Sequence, residues 1–193
     1  MVLDGAEREL VESCQRGERE AFRALFELYK DKVYSIALRY TNDESCAMDI
    51  AQDTFLKLFS SIRDFRGHAR LESWLYRLVV NSCLDHKRRR RRLLPFVGQF
   101  LEELRFSGES ALHKLLQQEL SEQVRSAVAG LPSEQRIVIV LRYTEGLSYE
   151  EIAEALGCSK GTVASRLNRA HSILERRLAR LAKEEGGSGD RQN

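Results

Sequence analysis

Between residues 20 and 40 the apolar side chains fall three and four apart, at Phe22, Leu25, Phe26, Tyr29, Val33, Ile36, Ala37 and Tyr40. That is the spacing of a helix burying one stripe. Thr41 and Glu44 form a T-x-x-E pair expected to cap a second helix, in which Ala47, Ile50, Ala51, Phe55, Leu58 and Ile62 repeat the rhythm. After a glycine-containing break at residues 66–70, Leu71, Trp74, Leu75, Leu78, Val79 and Ser82 predict a third helix running into the basic block HKRRRRR at residues 86–92. A short helix over residues 7–16, ended by Gly17, completes a bundle.

The rhythm falters around Pro95, Gly98 and Gly108 and then resumes. Residues 93–110 therefore read as a linker between a first domain, residues 1–92, and a second, residues 111–183. In the second, Leu112, Leu115, Leu116, Leu120, Val124 and Val128 mark a helix stopped by Gly130. Another opens at Pro132 and carries Ile137, Val138, Val140 and Leu141. Ser148 with Glu151 predicts a capping box, and Ile152, Ala153 and Leu156 face inward. Gly157 ends that helix and Ser159 caps the next. Helix, tight glycine turn, helix is the grammar of a helix-turn-helix. Along the last helix Val163, Leu167, Ala170, Leu174, Leu178 and Leu181 line one side, and Thr162, Ser165, Arg166 and Arg169 the other. Residues 184–193 are expected to form a flexible tail.

Composition agrees with an all-α protein of two helical domains: 193 residues, 42% apolar and 31% charged, hold only 2 prolines and 12 glycines, too little punctuation for an all-β fold. With no run of 18 apolar residues and six charges in the first 17, no membrane insertion and no leader are expected. Cys14, Cys46, Cys83 and Cys158 are evenly spread without a C-x-x-C, as expected of reduced thiols in a cytoplasmic protein. The four histidines are scattered, Cys83 and His86 are only two ligands, and no phosphate-binding or nucleophile motif occurs. Neither a metal, a cofactor, a small-molecule substrate nor an enzymatic activity is expected.

Net charge is +2, but its placement matters more. Residues 63–92 hold ten basic and three acidic residues, and residues 159–183 hold seven and one. Two separated cationic segments read as two footprints on a polyanion. Lys160, Thr162, Ser165, Arg166 and Arg169 suit a recognition helix, because arginine meets guanine bidentately while hydroxyls reach phosphates or base edges. A solvated basic face is the plainer alternative. The run from Lys87 would hold phosphates without sequence preference, and Phe65, Trp74 and Tyr76 nearby suit unstacked bases, although Trp74 at its spacing with Leu71 and Leu78 reads first as core. Asp49, Gln52, Asp53 and Lys57 share the polar face of the second helix, either solvated or a docking surface.

In order, AFRALFELYKDKVYSIALRY, DIAQDTFLKLF, FRGHARLESWLYRLVVNSCLDHKRRRR and LPSEQRIVIVLRYTEGLSYEEIAEALGCSKGTVASRLNRAHSIL resemble the extracytoplasmic-function sigma factors, bacterial transcription-initiation subunits. The resemblance implies that Asp49, Gln52, Asp53 and Phe55 dock on core RNA polymerase. It implies that Phe65, Arg66 and Arg70, with Ser73, Tyr76, Arg77, Asn81, Lys87, Arg88, Arg89 and Arg90, recognise and open the minus-ten element of promoter DNA. Ser159, Lys160, Thr162, Ser165, Arg166 and Arg169 would read the minus-thirty-five element, with Glu145, Glu150, Glu151 and Glu154 on the supporting side. An anti-sigma factor is a further implied partner. The linker departs from the family's extended acidic pattern. Its eight apolar side chains between Leu93 and Phe106 lead to the expectation that it packs between the domains in a closed form. Two rival readings are a one-component helix-turn-helix regulator whose first bundle dimerises or senses a ligand, and a purely protein-binding adaptor. The cationic, aromatic first bundle speaks against both.

Overall fold

A computed structural model describes residues 5–67, 70–85 and 122–186; side chains are described as far as residue 180. Among the described residues there are eight α-helices, one short 3-10 turn and no strand. Their labels here are α1 (Gly5–Arg16), α2 (Arg19–Thr41), α3 (Glu44–Ser61), α4 (Leu71–Asp85), α5 (Glu122–Ala129), α6 (Ser133–Tyr143), α7 (Tyr149–Leu156) and α8 (Lys160–Gly186), with the 3-10 turn at Ile62–Asp64 after α3. The expected linker and the basic run lie outside the described residues, and α8 continues as far as Gly186 into the stretch expected to be tail.

In the first bundle α2 is the central beam, packed on α1, α3 and α4. Its predicted stripe is inside: Leu25, Phe26, Val33, Ile36 and Ala37 have no accessible surface, and each large aliphatic or aromatic side chain so buried contributes roughly 1.5–3 kcal/mol. The rings of Phe26 and Phe55 meet at 4.7 Å, and Phe22 closes edge-on upon Phe59 at 5.0 Å.

The expected T-x-x-E box at the start of α3 does not form. Thr41 belongs to α2 and turns its hydroxyl back to the Ala37 carbonyl at 2.8 Å. The N-cap is Asp43, whose carboxylate accepts the Cys46 N–H at 2.7 Å. Asn42 makes the corner between the helices in the left-handed region, φ 56°, a conformation that asparagine tolerates better than most side chains.

The second bundle follows its caps more closely. Ser148 and Glu151 form the complete capping box of α7, Gly157 ends that helix at φ 61°, and Ser159 accepts the Thr162 N–H at 3.1 Å to open α8. Pro132 stands one residue before α6 as its N-cap rather than in the first turn. Val163, Leu167 and Ala170 of α8 are buried on α6 and α7. Ser148→Ala is expected to cost about 1 kcal/mol in urea unfolding, the usual value of a lost side-chain cap.

The two bundles touch directly, α4 against α7 and α2 against α5 and α6, and their buried side chains form one continuous cluster. Arg136 of α6 joins them. Its guanidinium donates to the Tyr40 carbonyl of α2 at 3.0 Å and to the Leu131 carbonyl at 2.8 Å, and it lies 5.1 Å from the Tyr40 ring. Burial lowers its pKa from the ordinary arginine value.

Candidate nucleic-acid interface

The loop between the 3-10 turn and α4 is fixed from the side by α1. Gln15 donates through Nε2 to the carbonyls of Ile62, 3.0 Å, and Phe65, 2.8 Å. This amide carries no local signal of its role, since its partners lie 47 and 50 residues away. Thus held, Phe65 is nearly buried, and its ring lies 5.0 Å from that of Trp74 at 33° between planes. Asp64, Phe65, Arg66, Ser73, Trp74, Arg77 and, from the second bundle, Glu154 line a cavity of about 230 Å³. An aromatic wall with arginines at its mouth can take a planar base and the phosphate beside it.

Of the residues tied to the minus-ten element, Arg66, Arg70, Arg77 and Asn81 are exposed and Ser73 is half-buried. Tyr76 is not free: it is 6% exposed, and its hydroxyl donates to Glu145 Oε2 of the second bundle at 3.2 Å. Burial, with Glu145 and Glu72 beside it, drives the phenol far above its ordinary range. Lys87, Arg88, Arg89 and Arg90 lie outside the described residues.

On α3, Asp49 is exposed and Gln52 and Asp53 are half-exposed on one face. Phe55 points the other way and is wholly buried; its ring packs the core, so a role as a surface contact does not follow from its place in the fold. Lys57 also leaves the polar face, donating to Ser82 Oγ of α4 at 2.8 Å.

The helix-turn-helix presents Ser159, Lys160 and Arg169 to solvent, with Thr162 and Ser165 half-exposed. Ser159 and Thr162 share a hydroxyl contact at 3.0 Å, and Ser165 donates to the Thr162 carbonyl at 2.9 Å. Lys160 pairs with Glu150 of α7 at 2.6 Å. Arg166 does not point straight outward: its side chain is 20% exposed and ion-paired with Glu134 of α6 at 2.7 Å. All four cysteines are free, and burial chiefly, helped by Glu18, pushes the Cys14 thiol up to about 11, far from a reactive thiolate. Among the described residues no cluster could hold a metal and no helix is long and apolar enough to cross a membrane.

Comparison with known proteins bears on both halves. Residues 25–93 match the family described as Sigma-70 region 2, and residues 121–174 that described as Sigma-70, region 4. RNA polymerase sigma-H factor of Pseudomonas aeruginosa is 33% identical over 192 residues, covering 95% of this chain and all of the relative. The chain belongs to the extracytoplasmic-function sigma factors. ECF RNA polymerase sigma-E factor of Escherichia coli is likewise 33% identical, over 89% of this chain and 94% of the relative. Among solved structures, CnrH in complex with the cytosolic domain of CnrY is 27% identical with a TM-score of 0.64, covering 90% of this chain and 97% of that one. The sigma factor RpoE of Bartonella quintana, solved with the anti-sigma factor NepR, shares the fold at 23% identity and a TM-score of 0.58 over 82% of this chain and 96% of that one. As a sigma factor the protein directs RNA polymerase to promoters, and sigma-factor relatives covering 95% and 89% of the chain do not favour the one-component regulator.

Proposed function

We propose that this sigma factor uses its two DNA-facing surfaces as a division of labour. The cavity beside Phe65 and Trp74 captures an unstacked base of the minus-ten strand, with Arg66, Arg70, Ser73, Tyr76, Arg77, Asn81 and the run Lys87, Arg88, Arg89 and Arg90 along the backbone. The exposed start of α8 reads the minus-thirty-five duplex. Asp49, Gln52 and Asp53 dock on core polymerase, and Phe55 holds α3 in shape behind them. The observation that carries the reading is the aromatic cavity rimmed by Arg66 and Arg77: taking a base from its stack costs a few kcal/mol, which stacking and phosphate contacts offset. No step requires a reacting group, so the protein works by binding alone, in the cytoplasm with the polymerase. An inhibitory protein partner is part of this reading, supported by the relative CnrH having been solved with another chain bound.

Purified core polymerase should initiate from a promoter selected by the holoenzyme only when this protein is added. Failure of the protein to associate with bacterial core enzyme overturns the reading. Within it, Arg166→Ala is expected to weaken binding to the cognate minus-thirty-five duplex by about 1–3 kcal/mol and to leave a scrambled duplex nearly unchanged, read by fluorescence anisotropy. Equal losses on both would make Arg166 a phosphate contact.

A further inference from the structure

Part of the acidic side of the helix-turn-helix, Glu145 above all, meets the first bundle. α7 packs against α4, and the contacts fall on the residues proposed to read the minus-ten strand. Tyr76 donates its hydroxyl to Glu145 at 3.2 Å. Arg77 Nη2 donates to the Glu154 carbonyl at 3.4 Å, and Glu154 forms one wall of the base-sized cavity. Glu151 is held ionised by the Ser148 N–H and hydroxyl and, across the interface, by the charge of Arg70. Lys32 lies 5.6 Å from the Tyr76 ring and is paired with Glu72; burial raises the Glu145 carboxyl above its ordinary range, against the Tyr76 hydrogen bond and the charges of Lys32 and Arg39, which lower it. Carboxylate and carbonyl oxygens thus occupy ground that phosphates and base edges would take.

We propose that Glu145 and the acidic face of α7 act as an internal stand-in for nucleic acid, covering the minus-ten surface until the bundles part. This rests on the strand-reading role proposed above for Tyr76, Arg77 and the cavity. The free protein is then self-occluded for single-stranded promoter DNA, while Asp49, Gln52 and Asp53 stay accessible to a polymerase. Polymerase can therefore engage the closed form first. Any partner that binds the parted form better draws the equilibrium open by its difference in affinity for the two.

The test compares wild type with Glu145→Ala, which removes the acceptor of the Tyr76 hydroxyl; the bond from Arg77 to the Glu154 carbonyl belongs to the main chain and stays in every variant. The probe is a fluorescent single strand carrying the minus-ten sequence selected by the holoenzyme, titrated onto the full-length protein without polymerase; a thymidine homopolymer controls for the lost negative charge. The variant is expected to bind the selected strand about tenfold more tightly, as loss of the hydrogen bond between Tyr76 and the Glu145 carboxyl group allows. It should gain far less on the homopolymer and show a larger radius of gyration in solution scattering at an unchanged helical circular dichroism signal. Glu145→Gln, which can still accept from Tyr76, should fall between. Equal affinity of wild type and variant, or an equal gain on both strands, overturns the stand-in. Arg77→Ala in the holoenzyme separates the two ideas: loss of strand capture keeps the strand-reading role when the stand-in fails, and unchanged capture removes both.

Discussion

Phe55→Ala is expected to lower the unfolding free energy by about 3–5 kcal/mol, the range for an aromatic ring deleted from a core. The ring has no accessible surface and lies 4.7 Å from Phe26 and 5.9 Å from Phe59. It stands on α3 where that helix meets α2, between two long helices that cannot close on the space it leaves. Urea unfolding of the full chain measures the loss. Phe55→Leu, which keeps most of the volume, should lose considerably less. Asp49→Ala and Asp53→Ala should stay within about 0.5 kcal/mol of wild type, as solvent-facing substitutions do, and yet bind polymerase more weakly. An alanine variant of Phe55 with normal stability and defective polymerase binding would instead make the ring a contact.

The same residue shows where sequence is a sufficient guide. Phe55 falls on the apolar rhythm Ala47, Ile50, Ala51, Phe55, Leu58, and that rhythm alone puts it inside; resemblance to a docking motif points to the helix but not to which side of it each residue lies on. The stripes of α2, α3, α4 and α8 are legible because burial of one helix face leaves a period that any reader can count. The caps of α7 and α8 are legible for a related reason, since serine and glutamate meet backbone groups within one turn. At the start of α3 this local reasoning misjudges the competition. Thr41 finds a carbonyl in its own helix, and the ionised Asp43, two residues on, is the better acceptor for a helix N-terminus.

The face that α7 and Glu145 present to α4 is a different kind of problem. Glu145 and Glu154 look like ordinary solvated acids, and Tyr76, beside the stripe of α4, like a free aromatic. Their contacts join residues 69 and 77 apart, so no periodicity encodes them. The only hint in the chain is bulk charge: an acidic segment following a cationic one. Arg136 is hidden in the same way. Nothing in the run from Ser133 to Ile137 marks it as the residue that caps the Tyr40 carbonyl of the other bundle. Its burial follows from the meeting of two surfaces, each of which is unremarkable alone. The exposure of Arg66, Arg70, Arg77 and Arg169, proposed above to face DNA, is readable because exposure is the default for their type. Arg166 departs from that default because Glu134 is within reach.

Replacing Arg88, Arg89, Arg90 and Arg91 with glutamine is expected to flatten the salt dependence of binding to the minus-ten single strand by about 3 in the slope of log affinity against log salt, at roughly 0.7 per phosphate neutralised. Across a change from about 50 to about 200 mM salt that slope corresponds to roughly a 50-fold difference in how far affinity falls. These residues lie outside the described part of the structure, so the expectation rests on charge alone: six consecutive cations from Lys87 to Arg92, whose mutual repulsion phosphates would relieve. Glutamine removes that repulsion too, so the variant should fold at least as well as the wild type, and a weaker complex cannot be put down to unfolding. Affinity for the minus-thirty-five duplex should hold, because Lys160, Arg166 and Arg169 belong to the other bundle. A slope identical to that of the wild type would remove the run from the DNA interface and leave capture of the strand to the cavity beside Phe65 and its rim of arginines.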